Sequence, residues 1–307
     1  MINIGFIGLG QMGSALAERI LAVGRPLFVQ DPAPAAVAAL KALGAESCDD
    51  AAEIAARCDV VVLCLPDAQV SQQVARALTV GPRVTLVIET STVGRPCLEE
   101  MDAILGAAGI ELVDAPISGG PRGARSGRTT MMASGRPEAM EAAREVLGLL
   151  SDNLFAVGEL PGKGQVMKLV NNLLSGALMA ASYEALVVGA KAGLDAEIMV
   201  EVLNASSARN TATLEKVPQS ILPGTFDFGA SIRTITKDMR LGLAEADVQG
   251  VPTWACDAAG RLWRLAEISM GPEHDYTSLI RLIEGYGGTV VRSRAVLERN
   301  DKKSVVS

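Results

Sequence analysis

The sequence predicts an α/β domain with a parallel-rich sheet followed by an all-α domain, and three observations carry that prediction. From the start to about residue 160, short β-branched runs alternate with alanine-rich helical stretches, the signature of βαβ units. After "LPGKG" the strand-like runs stop and apolar residues recur at helical spacing. The 307 residues, 49% apolar and 21% charged, suffice for two domains of ordinary size. We therefore expect residues 1–163 to form the first domain. Residues 164–307 form the second, opening on a long interdomain helix.

Taken in order, the predicted strands are "INIGFIG", "LFVQ", "CDVVVLCLP", "RVTLVIETS", "IELVDAP", "TTMMASG" and "NLFAVG". Each is short, apolar and bounded by turn-forming residues, as in a buried parallel sheet. Helices are then predicted over 165–193, 195–204, 230–248, 253–268 and 276–284, with breaks such as "LPGTFDFG" and "SMGPEHD". The tail "RNDKKSVVS" is polar and is expected to fray.

Lys and Arg number 28 against 35 Asp and Glu, a net charge of −7. That balance argues against nucleic-acid and anionic-membrane partners, so local groups have to hold any anionic ligand. Five cysteines form no CxxC pair and His274 is the only histidine; neither a disulfide framework nor a metal site is predicted. The first residues run straight into a strand without a secretory pattern, and the cysteine usage suits a cytoplasmic protein. The most membrane-like span, 173–194, contains Tyr183, Glu184 and Lys191 and reads as the buried helix of a soluble protein.

"IGFIGLGQMGSALA" places Gly8, Gly10 and Gly13 in G-x-G-x-x-G spacing between a strand and an amphipathic helix. Such glycines permit a tight turn, close backbone approach to a pyrophosphate and close helix packing, while the helix N-terminus offers NH groups to the anion. The cradle is Gly8, Leu9, Gly10, Gln11 and Met12. The second strand ends at Asp31, about twenty residues on, where a carboxylate accepts from ribose hydroxyls. A Rossmann-type domain is the result. Asp31 would repel a 2′-phosphate and "PAPAA" supplies no arginine to hold one, so NAD is expected over NADP. Leu65 and Pro66 of "CLP", and Thr92 of "TST", fall at the C-terminal ends of later strands, the edge where ligands sit in open α/β sheets.

"VDAPISGGPRGARSG" follows another strand. Ser118, Gly119 and Gly120 offer a hydroxyl and uncovered backbone NH groups suited to a carboxylate, and Arg122 and Arg125 add positive charge. In "GKGQVMKLVNN", Lys168 lies on a helix with Asn172 about 40° away and Ser175 about −20°, a narrow polar strip. Val166, Leu169, Val170, Leu173, Leu174, Ala177 and Ala181 occupy the opposite side and are expected to be its buried face. A partly desolvated ammonium is disfavoured against its neutral amine, so Lys168 is the predicted proton carrier and Asn172 a neutral hydrogen-bonding partner. Lys163 is off the strip. His274 lies in the Gly/Pro loop "GPEHD" and is read as a surface residue.

Together these residues resemble the β-hydroxyacid dehydrogenase family, of the 3-hydroxyisobutyrate dehydrogenase and tartronate semialdehyde reductase kind, over nearly the whole chain. The motifs are "GFIGLGQMGSALA", "DAPISGGPRGARSG", "GKGQVMKLVNN" and "KDMRLGLAEA". The resemblance implies a homodimer or homotetramer that oxidises a small 3-hydroxy acid to the semialdehyde, or the reverse. Lys168 would act as general base, Ser118, Gly119 and Gly120 would hold the substrate carboxylate, Asn172 would orient the substrate, and Lys237 would lie beside the nicotinamide. Arg122 is assigned to a second acidic group. Two alternatives stay open: an NADP-dependent reductase of another small carbonyl or imine, and a non-catalytic nicotinamide-binding regulator. Asn171 stands where the 6-phosphogluconate branch typically has His, and imine reductases usually lack the lysine. "DYTSLIRLIEGY" departs from the "D-x-S-A" pattern common among the 3-hydroxyisobutyrate enzymes.

Overall fold

A computed structural model of the chain describes residues 2–304, with side chains through residue 299. It divides into two compact units, Met1–Leu169 and Val170–Ser307. In the first, β1 (Ile4–Ile7), β2 (Leu27–Gln30), β3 (Glu46–Ser47), β4 (Val60–Leu63), β5 (Leu86–Glu89), β6 (Glu111–Asp114), β7 (Ile117–Ser118), β8 (Thr130–Ser134) and β9 (Asn153–Gly158) form one sheet. Its order is β3-β2-β1-β4-β5-β6-β8-β7, with β9 pairing β8. The run from β3 to β6 is parallel, β8 is antiparallel to β6 and β7, and β9 is parallel to β8.

Side chains alternate across the sheet, and both faces are covered. Phe6, Val60, Val62, Ile88 and Val113 pack with Leu16 and Ile20 of α1 (Gln11–Ala22) and Val146 and Leu147 of α7 (Pro137–Leu150). Ile7, Val61, Leu63, Val87 and Leu112 face Ile54 of α3 (Ala51–Arg57), Leu78 of α4 (Ala68–Leu78) and Leu98 of α5 (Arg95–Gly106). The remaining helices of this unit are α2 (Pro34–Ala42) and α6 (Gly120–Arg125). Because β1 connects outward to β2 on one side and has β4 on the other, the sheet changes direction there. The C-terminal ends of β1 and β4 therefore flank the crevice where open α/β sheets take their ligands.

All seven predicted strands are present. The sequence reading missed β3 and β7, both two residues long, too short to carry a period-2 pattern.

α8 (Lys163–Lys191) runs 29 residues from the first unit into the second. The second unit continues with α9 (Ala196–Ala205), a π-helix (Ala212–Ile221), α10 (Ile232–Val248), α11 (Trp254–Met270), a 3-10 turn (Tyr276–Ser278), α12 (Leu279–Gly287) and α13 (Arg294–Ser304). Its core gathers Met179, Tyr183, Val217, Ile235, Met239 and Trp263. The Trp263 indole donates to the Gly176 carbonyl at 3.1 Å, pinning α11 to α8. The π-helix escaped the sequence reading because Pro218 inside it removes a donor and marks a break in any α-helical pattern. The tail is a correction: residues 294–304 are helical, and residues 305–307 of the predicted fray lie outside the described residues.

The facing of α8 is a second correction. Lys168, Asn172, Gly176, Met179 and Tyr183 are buried, whereas Val170 is 52%, Leu174 59% and Leu178 39% exposed. The buried arc is centred near Gly176, whose missing side chain lets Met239 of α10 approach, and that arc contains the polar strip. The helix thus buries its lysine and exposes an apolar ridge. By length and composition α8 would also pass for a membrane span.

Candidate active site

The glycine turn fulfils each of its geometric requirements. Gly8 adopts φ +95°, and a Cβ there would lie 2.2 Å from the Cys64 carbonyl oxygen at the end of β4. A Cβ on Gly13 would lie 1.9 Å from the Gly8 carbonyl, so α1 packs on the turn only with glycine. At Gly10 a Cβ would meet nothing within 4 Å, which leaves open the space a pyrophosphate needs beside the N-terminus of α1. Gln11 is exposed, Met12 half-buried and Leu9 buried.

Asp31 follows β2. One carboxylate oxygen accepts from the Leu9 amide at 2.6 Å and the other from the Ala33 amide at 2.7 Å. It holds the glycine turn and caps its own turn at once. It also lines a pocket of about 340 Å³ together with Pro34, Val37, Lys41, Ser47 and Asp49. That volume, apolar on the α2 side and edged by a carboxylate, suits an adenosine end. Lys41 is a lining residue that the sequence reading overlooked, because it lies ten residues beyond Asp31, on α2.

The loops after β4 and β5 are tied by a buried polar network. The Leu65 amide donates to the Ser91 hydroxyl at 2.6 Å, and the Ser91 amide donates to Glu89 at 2.8 Å. Thr92 is half-buried and Pro66 exposed. Gln165, in the first turn of α8, accepts from the Val93 and Gly94 amides at 2.8 and 2.9 Å. Its amide nitrogen donates to the Ser91 carbonyl at 2.9 Å and to Asp114 at 2.8 Å. Asp114, at the end of β6, also accepts from the Gly162 and Gln165 backbone amides at 3.1 and 2.8 Å and from the Ser134 hydroxyl at 3.3 Å. The start of α8 is thereby clamped to the strand ends, and Lys168 sits one turn farther along it. Glu89, Asp114 and Gln165 were all missed from sequence; the buried carboxylates at strand ends were the available signal.

Both carboxyls pay for their burial in acidity. Desolvation pushes Glu89 up to about 7, with the Asp114 charge adding to it and Ser91 opposing. Desolvation pushes Asp114 up to about 6 against the donors of Gln165, Gly162 and Ser134. Between the ordinary value of 4.5 and 7, folded Glu89 holds more proton than the unfolded chain, so its contribution to stability is present at low pH and is lost as pH rises through 7. Glu89→Gln should remove that loss. Its unfolding free energy relative to wild type should rise by about 3 kcal/mol between pH 4 and pH 8 in denaturant titrations; an equal difference at both pH values would refute the assignment.

Lys168 is 7% and Asn172 8% exposed. The Asn172 amide donates to Asp238 of α10 at 2.7 Å, and its oxygen accepts from Asn171 at 2.9 Å. Beyond those two bonds the amide keeps one donor and one acceptor position for a ligand. Asp238 is 5% exposed and its carboxylate lies 3.4 Å from the Lys237 ammonium. Sequence reasoning selected Lys237 and passed over Asp238 beside it. Lys163 is exposed, as its position off the strip implied.

Ser118 ends β7 half-buried, Gly119 (φ +123°) and Gly120 (φ +66°) turn the chain, and α6 follows. Arg122 is exposed, whereas Arg125 is committed to Glu18 of α1 at 2.7 Å. His274 is exposed.

A doubly wound sheet with this glycine turn, an adenosine-sized pocket and a buried lysine defines a nicotinamide-dinucleotide oxidoreductase. Residues 3–158 match the model for the NAD binding domain of 6-phosphogluconate dehydrogenase, and residues 162–283 match that for the NAD-binding region of NADP-dependent 3-hydroxyisobutyrate dehydrogenase. The chain is 34% identical to 3-hydroxyisobutyrate dehydrogenase of Pseudomonas aeruginosa, over 93% of this chain and 99% of that protein. It is 33% identical to 2-(hydroxymethyl)glutarate dehydrogenase of Eubacterium barkeri, over 94% and 97%. The structure of Mycobacterium tuberculosis 3-hydroxyisobutyrate dehydrogenase with L-serine superposes with a TM-score of 0.84 at 26% identity, covering 92% of this chain and 99% of that one. The chain belongs to the β-hydroxyacid dehydrogenase family and is an NAD-binding enzyme of that class.

Proposed function

We propose that the protein uses NAD to oxidise the 3-hydroxyl of a small 3-hydroxy acid to the semialdehyde or ketone, or reduces that product. One observation carries this reading: Lys168 is almost wholly buried, one helical turn from an asparagine whose amide is already oriented by Asp238. Lys168 takes the hydroxyl proton at Nζ and returns it in the reductive direction. Bound NAD supplies the hydride acceptor. Ser118 and the Gly119 and Gly120 amides hold the carboxylate, Asn172 orients the hydroxyl, and Arg122 receives a second acidic group. Residues 1–163 act as the nucleotide domain, with Gly8, Leu9, Gly10, Gln11, Met12, Asp31, Leu65, Pro66 and Thr92 on the cofactor. Residues 164–307 act as the substrate and oligomerisation domain, with Lys237 beside the nicotinamide. A second copy of the chain covers the apolar ridge of Val170, Leu174 and Leu178, giving a homodimer or homotetramer. The five cysteines form no disulfide among the described residues, and this usage suits a cytoplasmic setting.

The pocket lining carries Asp31 and Asp49 against Lys41, a balance that disfavours a 2′-phosphate. The test is a panel of 3-hydroxy acids at alkaline pH, following NADH absorbance. Turnover is expected with at least one member, and NAD binding without any turnover would favour the regulatory alternative. In the same assay Asp31→Ala should narrow the preference for NAD over NADP by about tenfold, the size of one charge-assisted hydrogen bond. An unchanged preference would remove Asp31 from cofactor selection.

A further inference from the structure

A second pocket, of about 440 Å³, lies in the helical unit where Gly224 and Phe226 meet Arg281 of α12 and Arg292 and Arg299 at the chain's C-terminal end. None of these residues has a part in the reaction proposed above. Three guanidinium groups share the pocket in a chain whose net charge is −7. Arg292 is fixed: it forms a two-pronged pair with Glu284 at 2.7 and 3.2 Å, and the arginine and glutamate side chains are only 12% and 6% exposed. Among the described residues neither Arg281 nor Arg299 has a carboxylate partner; Arg299 donates to the Ala295 carbonyl at 3.2 Å. The described lining therefore carries positive charge in excess of the one carboxylate that pairs with it.

The floor of the pocket is built at a conformational cost. Phe226 has φ +52°, the single positive value among described non-glycine residues, a backbone state that a bulky aromatic residue rarely adopts. That state places its ring under two cations: the Arg292 guanidinium is 4.7 Å and the Arg281 guanidinium 5.4 Å from the ring centroid. The ring's negative face offsets part of the repulsion between the two. Guanidinium forks match the paired oxygens of an oxyanion, and the volume is in the range of small-molecule sites.

We propose that this pocket binds a small phosphate dianion, free or as a monoester, between Arg281 and Arg299, with Arg292 as the fixed anchor and Phe226 as the floor. Binding to the folded state alone raises thermal stability with ligand concentration, so occupancy of this site would couple the level of phosphorylated metabolites to the stability of the helical unit.

The experiment compares the full chain with an Arg281→Ala/Arg299→Ala variant, both with saturating NAD so that the glycine turn does not take up phosphate. Thermal melts and titration calorimetry use inorganic phosphate and glycerol phosphate, with chloride at matched ionic strength. A saturable rise in Tm with phosphate but not chloride is expected, with the variant binding at least about tenfold more weakly, the loss of one charge-assisted contact. Tighter binding of the monoester assigns the site to phosphorylated metabolites, and equal binding assigns it to free phosphate; both support the proposal. Equal phosphate affinity in wild type and variant, or the same Tm rise with chloride, would overturn it. If the variant does not fold, Arg281→Lys and Arg299→Lys, which keep charge and lose the planar fork, take its place with the same readouts.

Discussion

Lys168→Ala should lower kcat by about 10²- to 10⁴-fold, the usual contribution of a positioned proton carrier, while NAD affinity measured by calorimetry stays within a few fold. In the proposed reaction, truncation would leave the hydroxyl proton without an acceptor, and a site in which Lys168 is 7% exposed would offer water poorly in its place. Lys168→Arg separates chemistry from charge. The guanidinium keeps the cation but does not give up its proton in proteins, so this variant should be nearly as slow as the alanine. A lysine that merely balanced charge would be rescued by arginine. Activity of Lys168→Arg within about threefold of wild type would therefore end the general-base assignment.

Asp114→Ala should strongly destabilise the nucleotide unit. The carboxylate accepts from the Gly162 and Gln165 amides, the Gln165 side chain and the Ser134 hydroxyl. Alanine strands these donors in a site with 0% exposure, and at about 1–3 kcal/mol for each unsatisfied buried group the loss should reach at least about 3 kcal/mol. Asp114→Asn keeps one oxygen acceptor and turns its NH2 toward a donor, so it should fall between wild type and alanine. Because the same bonds hold the first turn of α8, the asparagine variant should also lose kcat more than it raises KM. Chemical denaturation and steady-state kinetics on the two variants measure both effects. A soluble, fully stable Asp114→Ala protein would show that the clamp contributes little.

Much of the molecule was legible from local signals. The strands of the first unit announce themselves as β-branched runs, and Gly8, Gly10, Gly13 and Asp31 lie within one βαβ segment whose spacing is set by the chain itself. Lys168 and Asn172 could be paired because one helical turn joins them. Those features depend on short-range geometry, where sequence distance and spatial distance coincide.

What tertiary structure alone decided lies at longer range. Asp114 and Gln165 are 51 residues apart, and Asn172 and Asp238 are 66 apart; nothing in either local pattern announces the partner, since a lone Asp before Ala-Pro or after Lys reads as an ordinary turn or surface charge. The facing of α8 is the clearest case. Apolar content predicted that Val170 and Leu174 would be inside, yet packing against Met239 and Trp263 turned the Gly176 side inward and left Val170 and Leu174 exposed. The sequence determined which residues a helix presents together. Only the packing of neighbouring elements, with Gly176 as the point of close approach, determined which face of α8 in the helical unit is withdrawn from water, because that choice rests on contacts far apart in the chain.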